Sequence, residues 1–265
     1  AGDGCSICRI DCNESVELAR LIFDFGKRAA EEDGVSGWSK LAIIAHHDCL
    51  GDLITLSPLL FNQHIPVFYI RELGVIDDAT AASIQGGDFT DLIALGVDKH
   101  IPDTFLAACA THGVKSERLI GKNPYDANEK INDLITSGQV EGARLTIDNL
   151  IVSSVWNPAD AFAAGAWAAK TDSAFLLEDP QNLDSVAHAI SYIKKKGGSV
   201  KHLTFLGDSS QFGRLDKEML GKAVQEALVD AGLADTGAED AQPAETERTN
   251  FTSADAASAN TQENE

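Results

Sequence analysis

The sequence predicts an α/β fold with two tandem units, each a small parallel β-sheet flanked by helices. The first observation is an internal repeat, because residues 41–70 align without a gap with residues 149–178 at an offset of 108. The second is the character of the strand candidates, which are short and continuously apolar, a pattern typical of parallel strands covered on both faces. The third is the helical spacing of the apolar residues between those runs.

The strand and helix candidates follow one another in the same order in both units. The strand candidates of the first unit are residues 41–45, 66–70 and 92–95, and those of the second begin at Asn149, Ala174 and Leu203. Between them, apolar side chains recur at helical spacing, for example at Val186, Ile190 and Ile193. Pro158 occupies a first-turn helix position, where proline is tolerated. Since helices that alternate with parallel strands serve as crossovers, we predict two tandem flavodoxin-like units.

The composition changes near residue 230 and sets the predicted segment limits. From residue 230 to residue 265 there are nine acidic residues against one base, Arg248, and very few large apolar side chains. Such a stretch cannot bury enough apolar surface to offset the entropy of ordering it. We predict an N-terminal segment with cysteines (1–8), a first repeat (9–115), a second repeat (116–229) and an acidic disordered tail (230–265).

The charge of the chain excludes some classes of partner. The 265 residues carry a net charge of −20, with a pI of about 4.6. A protein that coats nucleic acid needs a basic face, so we expect no nucleic-acid partner. No apolar run reaches the ~18–20 residues that a membrane-spanning helix needs. The first residues also lack a signal-peptide pattern, which fits either a cytosolic protein or the mature form of an exported one.

Four short motifs occur in a fixed order and carry a family resemblance. They are the opening Arg118-Leu-Ile-Gly121 with Tyr125, then residues 157–170 (NPADAFAAGAWAAK), 174–180 (AFLLEDP) and 200–207 (VKHLTFLG). This ordered set resembles the cell wall binding type 2 repeat, over residues 118–226 and more weakly over residues 9–112. The sequence departs from the family pattern at Pro124 and Asn128, and its glycine pair is reduced to Gly207-Asp208 and Gly96-Val97.

The resemblance implies a non-enzymatic protein that is extracellular and associated with the cell wall. Members of the family anchor surface proteins noncovalently to anionic glycopolymers of Gram-positive walls. They commonly carry three repeats around a pseudo-threefold axis, whereas this sequence shows two. We therefore expect the partner to be a wall glycopolymer or another surface protein, and a second copy of the chain is one way to supply the missing contacts. A pure protein–protein assembly module is one alternative function.

The candidate ligand-binding residues are aromatic, acidic and basic. A tryptophan in the turn before the Ala-rich helix can stack on a sugar ring, and a lysine cluster can attract a polyanion. These candidates are Trp156, Asn157, Asp160, Asp52, Lys194, Lys195, Lys196 and Arg214. The structural alternatives are that the lysines complement a helix C-terminus and that the two aspartates favour helix N-termini. Trp167, in the Ala-rich helix, is expected to be packed. We expect no cofactor, although calcium could bridge an acidic body to a polyanion.

The run His46-His47-Asp48-Cys49 carries the main alternative function. It falls just past the carboxyl end of a predicted strand, where open α/β sheets place their sites. Imidazole, carboxylate and thiolate are zinc ligands, so a small hydrolase or metal-binding enzyme that uses this loop is the alternative. Adjacent residues on a turn are not expected to converge on one ion, and the matching turn at residues 154–157 lacks ligands. The sequence therefore favours a loop without a metal, with His46, His47 and Asp48 as the ligands of the alternative.

Three cysteines near the start of the sequence form a separate cluster. Cys5, Cys8 and Cys12 are the disulfide candidates, since an exported protein resides in an oxidising environment. Free thiols and a metal site that takes its fourth ligand from elsewhere remain alternatives.

Overall fold

The computed structural model describes residues 9–34, 37–140, 145–207 and 212–234, and its first half forms a parallel four-stranded sheet. The strand order is β2-β1-β3-β4, and every neighbouring pair is parallel. The elements are α1 (Ser15–Asp33), β1 (Leu41–His46), α2 (Leu50–Gln63), β2 (Val67–Ile70), α3 (Asp78–Gln85), β3 (Asp91–Leu95), α4 (Asp103–Thr111) and β4 (Lys115–Leu119). A short 3₁₀ turn, His47–Cys49, joins β1 to α2.

The second half forms a parallel three-stranded sheet with the order β6-β5-β7. Its elements are α5 (Pro124–Thr136), β5 (Thr146–Ser154), α6 (Pro158–Lys170), β6 (Ser173–Glu178), α7 (Leu183–Lys195), β7 (His202–Leu206) and α8 (Arg214–Asp230). The prediction of two tandem α/β units with small parallel sheets is therefore confirmed. None of the described helices is long and apolar enough to cross a membrane.

The two units interlock through β4. This strand pairs with β3, with Leu119 opposite Leu95, so the predicted boundary between residues 115 and 116 falls inside a strand of the first sheet. Arg118 fixes the strand by donating to the carbonyl oxygens of Gly96 and Ile101 and to the Asp103 carboxylate. The motif that opens the second repeat thus completes the sheet of the first.

A shared layer of helices lies between the two sheets. Strand residues alternate in direction, so Ile43 and Ile93 of the first sheet face α2 and α5. Ile151 and Phe175 of the second sheet face α6 and also contact Ile54 of α2. The outer faces are covered by α1, α3 and α4 on the first sheet and by α7 and α8 on the second. The result is a five-layer arrangement in which α2, α5 and α6 form the middle layer.

Two predicted segments lie largely outside the described residues. Residues 1–8, with Cys5 and Cys8, are among them, so the disulfide prediction for Cys5, Cys8 and Cys12 stays a prediction. The acidic segment from residue 235 onward is also outside, whereas Asp230 is the last residue of α8.

Candidate functional site

The carboxyl edge of the first sheet gathers histidine, aspartate and cysteine side chains. From β1 the chain crosses to β2 on one side, while β3 lies on the other side of β1. The connections that leave β1 and β3 therefore run to opposite sides, which makes this edge the topological switch point where open α/β sheets usually bind ligands. The β1 loop supplies His46, His47, Asp48 and Cys49, and the loop after β3 supplies His100.

His46 is the buried anchor of this edge. Its side chain is 1% exposed, and its ring stacks on that of His100 with centroids 4.3 Å apart. Its Nε2 lies 3.1 Å from the carbonyl oxygen of Arg71, which can only accept a hydrogen bond. Nε2 therefore carries the proton, and Nδ1 keeps a lone pair that faces the amide of Asp48 at 3.3 Å.

The 3₁₀ turn folds Asp48 back between two imidazoles. One carboxylate oxygen lies 3.4 Å from Nδ1 of His46 and the other lies 3.0 Å from Nε2 of His47. One ligand atom from each of the three residues lies within 4.8 Å of the other two. The expectation that adjacent turn residues cannot converge is therefore wrong, because a tight 3₁₀ turn and the inward-pointing last residue of β1 bring them together.

Two further groups of this edge have altered acidity. Burial, with smaller contributions from Asp52 and Asp48, raises the pKa of the Cys49 thiol to about 11. The thiol is therefore protonated at neutral pH, which makes Cys49 a poor nucleophile. Burial, with the neighbouring His46 next, lowers the pKa of His100, and its Nδ1 is buried without a hydrogen-bond partner among the described residues.

Asp52 is the neighbour of this loop on α2, and its binding of a ligand stays a prediction. It lies in the first turn of α2 and is partly buried. Burial raises its pKa to about 6. Asp52 lies near Cys49 of the histidine loop, and its charge contributes to the raised pKa of that thiol.

The matching edge of the second sheet presents an exposed tryptophan. Trp156 is 60% exposed, and its indole nitrogen donates to Asp179 at 2.7 Å. Asn157 caps α6 by accepting from the amides of Ala159 and Asp160, and its own amide donates to the Asp160 carboxylate at 2.8 Å. Asn157 and Asp160 thus serve the start of α6, and their binding of a ligand stays a prediction.

The lysine candidates are paired with acids rather than gathered into one basic patch. Lys194 pairs with Glu226 of α8, whereas Lys195 and Lys196 pair with Asp133 of α5. Arg214, far more exposed, pairs with Glu218 one turn along α8. Lys195 and Lys196 share one carboxylate, so these ion pairs offset the positive charge only in part, but they weaken the attraction of this region for a polyanion.

The sequence argument missed or misplaced three residues. Trp167 is 52% exposed, so the expectation that it is packed is wrong: it lies on the outer side of α6, whose alanines alone face the second sheet. His100 was missed because only the fold brings the loop after β3 beside His46. Glu178 was also missed; it is 1% exposed at the end of β6, and burial raises its pKa to about 7. A charged residue that continues the apolar run of a buried strand was the available signal.

Comparisons with known proteins identify the fold. No protein-family model matches the sequence, and no curated protein matches it significantly. The structure is similar to Cwp6 from Clostridium difficile, with a TM-score of 0.60 and 16% identity over 78% of this chain and 30% of that chain. It is also similar to Cwp8 from Clostridium difficile, with a TM-score of 0.61 and 14% identity over 81% of this chain and 33% of that chain. This chain spans about a third of the length of each of these proteins.

Proposed function

We propose that this is a non-enzymatic, extracellular protein that binds an anionic glycopolymer of a Gram-positive cell wall. The observation that carries the proposal is the fold, because 78% and 81% of the chain align with Cwp6 and Cwp8, which are cell wall proteins. The ordered motifs that resemble the cell wall binding type 2 repeat support the same function.

The sugar-binding element of this proposal is Trp156. Its ring is exposed at the carboxyl edge of the second sheet, and the hydrogen bond that its indole nitrogen donates to the Asp179 carboxylate holds the indole in one orientation. A fixed aromatic face offers large contact area at a small entropic cost, as in stacking on a sugar ring. Because ion pairs with Glu226 and Asp133 weaken the attraction of the lysines for a polyanion, we expect this contact to contribute more to binding than charge attraction does.

Cosedimentation with isolated cell walls tests the proposal. We expect the full chain to sediment with Gram-positive walls and to remain in solution with walls stripped of their secondary polymers. Trp156→Ala is expected to reduce the bound fraction at least tenfold. Trp167→Ala is the matched control, because Trp167 is also exposed but lies near the other end of α6.

Three outcomes contradict the proposal or part of it. Absence of binding to intact walls, with and without calcium, would leave the repeats as a scaffold and direct attention to a protein partner. Equal binding to stripped walls would exclude the polymer as receptor. Equal loss in both tryptophan variants would remove Trp156 from its assigned role.

A further inference from the structure

We infer that His46, His47 and Asp48 form a binding site for a divalent transition-metal ion of the zinc type. The inference concerns the edge of the first sheet and is independent of the proposed binding of a wall polymer. Its first support is convergence, since the three ligand atoms lie within 4.8 Å of one another. Two donor atoms on one zinc ion lie about 3 to 4 Å apart, so small side-chain rotations complete the site.

The second support is the state of the buried imidazole. The hydrogen bond from Nε2 of His46 to the Arg71 carbonyl oxygen fixes the tautomer and leaves the lone pair of Nδ1 on the side of Asp48. This lone pair accepts a long hydrogen bond from the Asp48 amide, which a bound ion would replace. Metal-binding histidines in general hold the second ring nitrogen in this way, by donating to a backbone carbonyl or a carboxylate. The stacked ring of His100 further limits rotation of His46. The first ligand is therefore preorganised by the fold.

The third support is the combination of donor types and exposure. Two imidazoles and one carboxylate suit zinc and its neighbours in the transition series, whereas calcium and magnesium prefer oxygen ligands alone. His47 and Asp48 have side chains that are 50% and 58% exposed, so an ion can enter from solvent. Three protein ligands leave a fourth position open for water or an anionic group.

Titration calorimetry of the untagged full chain with zinc chloride, after treatment with a chelator, tests the inference. We expect one equivalent of zinc to bind, and we expect His47→Ala and Asp48→Asn each to weaken binding at least tenfold. Both positions are exposed, so the variants should fold, whereas a change at the buried His46 endangers folding. His188→Ala is the control, because His188 is partly exposed and pairs with Glu129 on another part of the surface.

The three cysteines near the start of the sequence could bind zinc themselves, so the titration also needs a variant that lacks them. Cys5→Ser, Cys8→Ser and Cys12→Ser are combined in one variant, and the titration is repeated in it with and without Asp48→Asn. Zinc binding that survives the serine changes and falls with Asp48→Asn supports the site. Absence of binding, or binding that depends on the cysteines and ignores Asp48→Asn, overturns it. A cobalt(II) absorption spectrum that changes with His47→Ala gives a second readout of direct ligation.

Discussion

Asn132 completes the edge of the second sheet with its side chain. Its amide nitrogen donates to the carbonyl oxygen of Phe175 at 2.8 Å, and its amide oxygen accepts from the Phe175 amide at 3.2 Å. Asn132 is fully buried on α5, and Phe175 is fully buried on the outer strand β6. The side chain therefore pairs a peptide group that would otherwise lie buried without a partner.

We predict that Asn132→Asp lowers the free energy of unfolding by about 3 kcal/mol or more at neutral pH. The change removes a donor and places a buried carboxylate against the carbonyl oxygen of Phe175. Urea denaturation measures the loss. Asn123→Asp is the control on the same helix, because Asn123 is the N-cap of α5 and aspartate caps equally well. An equal effect of both substitutions would contradict the role assigned to Asn132.

Residue-level features that depend on local sequence were predictable, and those that depend on distant pairing were not. The start of α6 at Pro158 follows from proline chemistry. The Asn132–Phe175 pair joins residues 43 positions apart, and the His46–His100 contact joins the end of β1 to the loop after β3. Neither pair leaves a spacing signal in the sequence. The convergence of the histidine loop was missed for a related reason, since it depends on the tight form of one turn.

The contact between α2 and α6 is the largest between helices of the two units. Gly165 of α6 faces Ser57 and the backbone of Ile54 on α2, so a Cβ at position 165 would overlap the Ser57 hydroxyl oxygen. The alanines around Gly165 give α6 a thin face, on which Ile54 packs beside Ala161 and Ala164. Small residues thus set how closely these two helices approach.

We predict that Gly165→Ala destabilises the protein by about 1–3 kcal/mol, because the overlap pushes α2 away from α6. The overlap outweighs the gain of about 1 kcal/mol that alanine brings to an open helix position. Chemical denaturation measures the change in the free energy of unfolding. Gly221→Ala on α8 is the control for the helix-propensity gain alone, since no atom lies within 4 Å of a Cβ there. In a Ser57→Ala background the cost should shrink, because the nearest remaining contact is at 3.2 Å. Stabilisation by Gly165→Ala would refute this account.

Element order was predictable because the repeat and the apolar runs are local in the chain. The predicted strands at residues 41–45, 66–70 and 92–95 correspond to β1, β2 and β3. The membership of β4 was not predictable, because Lys115–Leu119 contains three charged residues and a single apolar one and so lacks the apolar run of the other strands. Only the fold reveals that it adds to the sheet of the first unit.

At the scale of the whole molecule, two carboxyl groups make the protein less stable as the pH rises, which is the opposite of the usual effect of paired carboxylates. Burial raises the pKa of Glu178 from 4.5 to about 7 and that of Asp52 from 3.8 to about 6. For Glu178, the nearby Asp216 and Asp179 add to the effect. In the unfolded chain both groups ionise near pH 4, whereas in the folded chain they stay protonated up to pH 6–7. The folded state therefore loses stability as the pH rises from about 4 to 7.

Other carboxylates act in the opposite direction. Hydrogen bonds and ion pairs with Lys196 and Lys195 outweigh burial and lower the pKa of Asp133, and a backbone hydrogen bond from Lys122 lowers that of Asp126. Their contribution to stability is present above the unfolded pKa and is lost as the pH falls through the folded pKa. The two opposed effects place the maximum of stability at mildly acidic pH.

We predict that the thermal midpoint is highest near pH 5 and falls toward pH 8 at constant ionic strength. Each of the two buried groups accounts for about 1–3 kcal/mol of that fall, because part of its total effect, at 1.36 kcal/mol per pKa unit, is already lost below pH 5. Glu178→Gln should therefore raise the midpoint at pH 8 and leave it nearly unchanged at pH 4, because the neutral acid and the amide are similar in shape and both uncharged. Differential scanning calorimetry in the presence of a chelator measures the midpoint without any contribution from bound metal. A midpoint that rises from pH 5 to pH 8, or a Glu178→Gln variant that is equally stabilised at both extremes, would show that burial of this carboxyl does not set the pH dependence.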